Sequence, residues 1–338
     1  MAVAVAVAAM AAAAAAGIAG SKPKAASPTI GANSSGLKVS SSMHNLAPPD
    51  LALSRPVADV IRMRTSRRAY ENRLLEPVVR ARLEAFLQAR HEGVFGNRIR
   101  IALHQVPPPD FLTLRQSGTY GVIKGARHYL IGAVERAANN MVDFGFCFER
   151  TILLCTDLGL GTCWLGGTLN RTVFGQQMGT QPSEIVPAVS PVGYASQRRT
   201  LRDLVIRFGA RSHKRRPWPE LFFQSSFASP LSKVSAGRHR QPLELLRLAP
   251  SASNQQPWRV VQSAAGDLHF FLHRTAMYRS KLLRSPEIDL QRVDLGIAMC
   301  HFSLAAQEEG LHGVWEYQTP DVGSLPPHTH YVVSWRGT

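Results

Sequence analysis

The feature that most constrains this chain is its similarity to itself. The segment from Val142 to Trp164 reads VDFGFCFERTILLCTDLGLGTCW. Moved by 151 positions (293 − 142), it falls without a gap on Val293 to Trp315, VDLGIAMCHFSLAAQEEGLHGVW. Val142/Val293, Asp143/Asp294, Gly145/Gly296, Leu153/Leu304, Gly159/Gly310, Leu160/Leu311 and Trp164/Trp315 are identical, and most other pairs set one apolar residue against another. In-register glycines and a tryptophan point to a duplicated architecture. Any fold for this sequence must house two versions of one segment.

Both versions predict long, largely buried helices. Leu290, Val293, Ile297, Cys300 and Leu304 recur at the three-and-four spacing of one helical face. Each helix ends at a Gly-Leu pair, where glycine can take the left-handed capping conformation. Strand-like segments follow, Val186 to Tyr194 and Tyr331 to Trp335. Upstream, at a slightly different offset, Leu83-Glu84 matches Leu243-Glu244, and a strand candidate follows each: Arg98 to His104 and Trp258 to Gln262. Each copy therefore reads helix, loop, strand, strand, long central helix, strand. That order predicts an α+β domain with a mixed sheet flanked by helices. Copy one is expected over 55–210, a basic linker over 211–241 and copy two over 242–338.

Residues 1–49 read differently. An Ala/Val tract passes into Ser, Gly, Lys and Pro with no acidic residue before Asp50, and the only charges are Lys22, Lys24 and Lys38. This composition is expected of a targeting leader, and the lack of Arg favours a plastid over a mitochondrion, with a cytoplasmic location as the alternative. No other stretch is long and apolar enough to span a bilayer, so no membrane partner is expected. The formal charge of +16 becomes +13 (16 − 3) without the leader. Such a balance suits polyanions or phosphorylated ligands. The basic residues are scattered, with neither zinc-finger spacing nor an RNP-like aromatic pattern, so nucleic-acid binding is the weakest reading. Cys147, Cys155 and Cys163 lie in an apolar stretch without a CxxC pair, which predicts buried reduced thiols rather than a metal site.

Four segments carry candidate chemistry. Arg64-Thr65-Ser66-Arg67-Arg68 combines guanidinium forks with a hydroxyl, a donor set for phosphate, although a basic turn at a helix end has the same composition. Gly159-Leu160-Gly161-Thr162-Cys163-Trp164-Leu165-Gly166-Gly167 follows the first central helix, and Gly166 and Gly167 would let the main chain approach a ligand. Ala249-Pro250-Ser251-Ala252-Ser253-Asn254-Gln255-Gln256-Pro257-Trp258 is a loop of small hydroxyl and amide side chains anchored by Pro-Trp. Lys214-Arg215-Arg216-Pro217 offers Lys214 and Arg216, or simply a solvated linker.

Taken together, these blocks resemble the nitroreductase family of flavoproteins. The first resembles the family's Arg-x-Ser-x-Arg/Lys element, which holds the FMN phosphate. The loop resembles its Pro-Ser-x-x-Asn-x-Gln-Pro-Trp motif, the most specific match. The glycine turn resembles the backbone that lies near flavin N5, and Lys214 and Arg216 resemble a Lys-x-Arg pair near the phosphate. The resemblance implies FMN as cofactor, NAD(P)H as co-substrate, and a small electron-poor acceptor such as a nitroaromatic or quinone, reduced with ping-pong kinetics.

The family's site is usually shared between two subunits, and here the two copies would supply both. Arg64, Ser66, Arg68, Gly166 and Gly167 from copy one would face Pro250, Ser251, Ser253 and Asn254 from copy two. In copy one the loop motif is replaced by Arg90-His91-Glu92-Gly93-Val94-Phe95-Gly96-Asn97. In copy two the stretch equivalent to Arg64–Arg68 falls near Gln224-Ser225-Ser226-Phe227-Ala228, without arginine. The expectation is one intact site in an intramolecular pseudo-dimer that functions as a monomer. No protein acid or base stands out, and His128, His269, His273 and His301 read as structural or surface residues. A non-catalytic FMN-binding or sensor protein is the alternative from another class.

Overall fold

The computed structural model describes residues 51–106, 123–167, 169–196, 214–275 and 287–337, so the leader expected over 1–49 lies outside the described residues. Copy one opens with α1 (Val57–Met63) and α2 (Pro77–Gln88), the second started by a proline whose fixed φ suits the first helical turn. β1 (His91–Glu92), β2 (Arg98–Gln105) and β3 (His128–Glu135) follow, then α3 (Asn140–Asp157). β4 (Gly161–Thr162), α4 (Arg171–Met178), β5 (Glu184–Ile185) and β6 (Val189–Gly193) complete it. The strands form one sheet in the order β1-β2-β3-β6-β4, with β5 paired to β3, and each of these pairings is antiparallel.

Copy two contributes β7 (Phe222–Gln224), α5 (Arg240–Arg247), β8 (Trp258–Gln262), β9 (Leu268–His273), α6 (Leu290–Glu308), β10 (Gly313–Glu316) and β11 (Thr329–Gly337). Its sheet runs β10-β11-β9-β8-β7, mixed because β7 lies parallel to β8 while the other pairs are antiparallel. The path β2-β3-β6-β4 in one sheet and β8-β9-β11-β10 in the other is the same order of equivalent strands. Within the segment expected as a linker, the described residues from Lys214 onward include β7. Phe222 is buried in β7, and Trp218 packs on it at 4.4 Å between ring centroids and donates to the Leu231 carbonyl at 2.7 Å.

The two central helices pack against each other, which their composition requires. α3 is buried at every residue and α6 at most of them, and a helix apolar on all sides has to be covered on all sides. The crossing is set by reciprocal glycines. A Cβ on Gly145 would stand 2.1 Å from the Val293 carbonyl oxygen, and one on Gly296 would stand 1.9 Å from that of Val142. These are the positions that the shift of 151 places in correspondence. Both helices end alike. Gly159 and Gly310 have φ of 76° and 68°, and the following Leu160 and Leu311 amides donate at 2.8 Å to Cys155 and Ala306. This is the Schellman closure that satisfies the last carbonyls. The four cysteines are buried. Among the described residues no helix is long and apolar enough to cross a membrane, and no group of side chains could hold a metal ion.

Candidate functional site

After α1 the chain turns extended and is clipped to the edge of β4. Ser66 bridges Thr162 in parallel, and the Arg67 amide donates to the Thr162 carbonyl at 2.7 Å. Extended backbone puts alternate side chains on one face. That is why Arg64, Ser66 and Arg68 act as a set, and all three line a cleft of about 460 Å³. Gly166 and Gly167 line the same cleft from the turn after β4. A Cβ on Gly166 would stand 2.8 Å from Leu290 of copy two, so the absence of a side chain there allows the copies to close together. The Gly166 carbonyl is fixed by a 2.5 Å hydrogen bond from Arg171.

The opposite wall comes from copy two. Pro250, Ser251, Ser253 and Asn254 all line the cleft. Ser253, Asn254 and Gln256 have φ of 50°, 55° and 51°, a left-handed backbone that non-glycine residues adopt only when held there. The restraints are visible. Ser251 Oγ accepts from the Gln256 amide at 2.9 Å, Asn254 Nδ2 donates to the Lys214 carbonyl at 2.8 Å, and the Ala252 amide donates to Asp294 Oδ1 at 2.9 Å. Leu290, Val293 and Ile297 of α6 supply an apolar wall.

Lys214 and Arg216 are placed differently from the sequence reading, outside the cleft lining. The Arg216 amide donates to Gln256 at 2.8 Å and its guanidinium pairs with Glu220 at 3.1 Å, so both residues brace the loop rather than face the cleft. Arg215, between them, lines it instead. Its guanidinium donates to Asn254 Oδ1 at 3.2 Å and to the Leu248 carbonyl at 3.0 Å. Burial, and then the positive charges of Arg64 and Arg247, push Arg215 down to about 10. The run KRR announced a cation near the loop, but its choice among three neighbours depends on which one the extended chain turns inward.

Two further residues were not singled out as site residues. Trp164, a match in the repeat and part of the glycine segment, lines the cleft, and its Nε1 donates to Glu149 at 2.7 Å. The fully buried Glu149 carboxylate also meets His301 Nε2 at 3.0 Å and lies 3.8 Å from Arg64 Nε. The His301 Nδ1 faces the Leu245 carbonyl at 3.1 Å. Arg64 is thus oriented by a carboxylate from its own copy that is held in turn by a histidine from the other. His301 is fully buried between Glu149 and the Leu245 carbonyl.

Asp294 is the second. It is 3% exposed and lines the cleft. Burial, and then the nearby Asp289 carboxylate, raise it well above the usual carboxylate range, against the Ala252 amide that lowers it. Its counterpart Asp143 is raised less, to about 6, because hydrogen bonds from Phe95 and Asn97 offset burial. The identity Asp143/Asp294 within an apolar helix was the available signal, since a buried carboxyl needs partners.

A family model described as "Putative TM nitroreductase" matches residues 56–306. No curated protein matches the sequence. Among solved structures, a putative nitroreductase from Thermotoga maritima MSB8 is similar with a TM-score of 0.53 at 20% identity, over 83% of this chain and 93% of that one. A putative nitroreductase in complex with FMN from Desulfovibrio desulfuricans is 23% identical with a TM-score of 0.35, over 44% of this chain and 95% of that one. An FMN-dependent nitroreductase from Clostridium difficile R20291 is 13% identical with a TM-score of 0.35, over 42% and 88%. The Thermotoga likeness is one of fold, and the family match takes in most of the chain, including both walls of the cleft: the protein belongs to the nitroreductase family.

Proposed function

We propose that the cleft binds one FMN and that the protein is an NAD(P)H-dependent FMN oxidoreductase acting on a small electron-poor acceptor, from a single site assembled by two diverged copies. The observation that carries this reading is the meeting of guanidinium groups, among them Arg64, Arg68 and Arg215, with the Pro250–Asn254 loop, left-handed at Ser253 and Asn254, across one cleft. The like-charge crowding on Arg215 is a cost that an anion relieves, and guanidinium forks with the Ser66 hydroxyl suit a phosphate. The wall of Leu290, Val293 and Ile297, with Trp164, suits an aromatic ring system. The residues therefore fit a flavin mononucleotide.

Arg64, Ser66, Arg68 and Arg215 would hold the phosphate, with Glu149 and His301 keeping Arg64 in place. The small side chains of Ser251, Ser253 and Asn254 would bind the polar chain and ring edge. Gly166 and Gly167 leave the main chain accessible, and the helix wall excludes water from one side. Bound FMN supplies reversible two-electron chemistry between a nicotinamide donor and a nitroaromatic or quinone-like acceptor. The cationic cleft favours added negative charge, which is the electrostatic contribution the protein itself makes. Donor and acceptor would use one cleft in turn, which is the condition for ping-pong kinetics.

The test is to purify the full chain, release and quantify its flavin, and add NADPH or NADH without oxygen. One FMN per chain, bleached by a nicotinamide and reoxidised by a quinone with parallel-line kinetics, is the expected result. FMN that binds tightly but is not reduced would favour a carrier or sensor. A colourless chain that takes up no added FMN would overturn the reading.

A further inference from the structure

The two copies place the same carboxyl in two different states of satisfaction. On α3, Asp143 receives the Phe95 amide at both oxygens (2.9 and 3.1 Å), the Asn97 amide at 3.0 Å and Asn97 Nδ2 at 2.9 Å. Gly93 closes this loop so tightly that a Cβ there would stand 2.2 Å from the Asp143 carboxyl carbon. On α6, Asp294 keeps only the loop amide of Ala252 on Oδ1, and its buried Oδ2 finds no hydrogen-bond partner among the described residues. Asp294 is the copy whose loop carries the Pro-Ser-x-x-Asn motif, and the copy that lines the cleft. An ionised oxygen buried without a donor is costly, whereas a carboxylic acid there has a proton to give.

We propose that Asp294 stands in the cleft wall as a neutral carboxylic acid and, by a small shift of its side chain as the cleft fills, donates its Oδ2–H to the bound flavin, making it the hydrogen-bond donor contributed by copy two's helix. The proposal rests on the FMN reading given above. The raised affinity of Asp294 for its proton agrees with it. The charged groups around the residue are accounted for. Asp289 is paired with Arg274 at 2.6 Å and Arg292 at 3.8 Å. Arg62, Arg64, Arg68 and Arg215 line the same cleft. Of the charged residues on α3, Asp143 is bound by its own loop, Glu149 by His301 and Trp164, Asp157 by Ser54 and Arg55, and Arg150 is buried. An ionised Asp294 would lose the donated hydrogen bond and set a negative charge beside the ligand. FMN affinity should then fall as pH rises.

The experiment measures FMN affinity of the full chain by quenching of flavin fluorescence across pH, with Asp294→Asn and Asp294→Ala alongside. Asparagine keeps an acceptor for Ala252 and a donor toward the cleft, so its curve carries the phosphate's own titration but not that of Asp294. Wild type should weaken by about tenfold or more, relative to Asp294→Asn, as pH rises, and Asp294→Ala should be weaker by about tenfold at low pH, the scale of one hydrogen bond. FMN binding with the same pH dependence in wild type and Asp294→Asn would overturn the proposal while leaving the cofactor assignment standing. An infrared difference spectrum of the flavin-free chains supplies a readout that needs no flavin. At neutral pH a protonated-carboxyl stretching band should be present in wild type and lost in Asp294→Asn, and its absence overturns the proposal. A chain that shows the band but binds no FMN at any pH overturns the donation and the function together.

Discussion

At the scale of single residues, protonation is set more by burial than by charge pairing. His128, on β3, is 1% exposed, and neither ring nitrogen has a hydrogen-bond partner among the described residues. Burial, then the positive charges of Arg80 and Arg127, lower it from 6.5 to about 4. A histidine whose folded value lies below its unfolded one contributes stability that is complete above the unfolded value and is lost as pH falls toward the folded one. His128→Leu should therefore lose less stability than wild type between pH 6.5 and 4. The difference should reach a few kcal/mol at most, at about 1.4 kcal/mol per pKa unit. Urea melts at several pH values check this, and parallel curves would show that His128 does not carry the effect. Nothing in the sequence distinguished this histidine from His269 or His273, because burial without partners depends on the whole sheet. Arg215 shows the same limit at the site. Its neighbours Lys214 and Arg216 have the same chemistry, and a one-residue step along extended chain reverses the face presented.

At the scale of elements, the crossing of α3 and α6 reverses a usual rule. A glycine inside a helix normally costs about 1 kcal/mol relative to alanine, so alanine should stabilise. At Gly145 and Gly296 the added carbon would meet a carbonyl oxygen of the other helix at 2.1 and 1.9 Å, and a backbone atom cannot turn aside. Gly145→Ala and Gly296→Ala should each destabilise by several kcal/mol or prevent soluble expression, as overpacking does. Gly179→Ala is the control: its φ is 62° but a Cβ meets nothing within 4 Å, so about 1 kcal/mol is expected. Denaturant midpoints for the three variants decide the matter, and two unaffected central-helix variants would mean the helices separate freely. These helices were legible because periodicity and repeat coincide over the whole segment, and β8 was legible to its ends. β7 was not: Phe-Phe-Gln is too short to show a period, and its parallel partner lies far along the chain.

At the scale of the whole molecule, the site residues belong to two halves that share one polypeptide. Flavin retention should then be independent of protein concentration. Diluted in a centrifuge cell monitored at the flavin band, colour should sediment with a single chain, near 37.0 kDa for the full sequence. Colour lost on dilution, or found only with a larger species, would mean that a second chain completes the site. The motifs pointed to residues most of which line one cleft, while the inequality between Asp143 and Asp294 emerged only once both loops had closed on their helices. The reciprocal glycine contact also bears on how the protein is made. Gly145 leaves the ribosome 148 residues ahead of Val293 (293 − 145), and Val142 leaves it 154 residues ahead of Gly296 (296 − 142), the backbone each must touch. At roughly 5–20 residues per second, that is an interval of about 8 to 30 seconds. For that time the face of α3 that meets α6 has no cover, so each round of synthesis exposes it to chaperones before the second half arrives to close it.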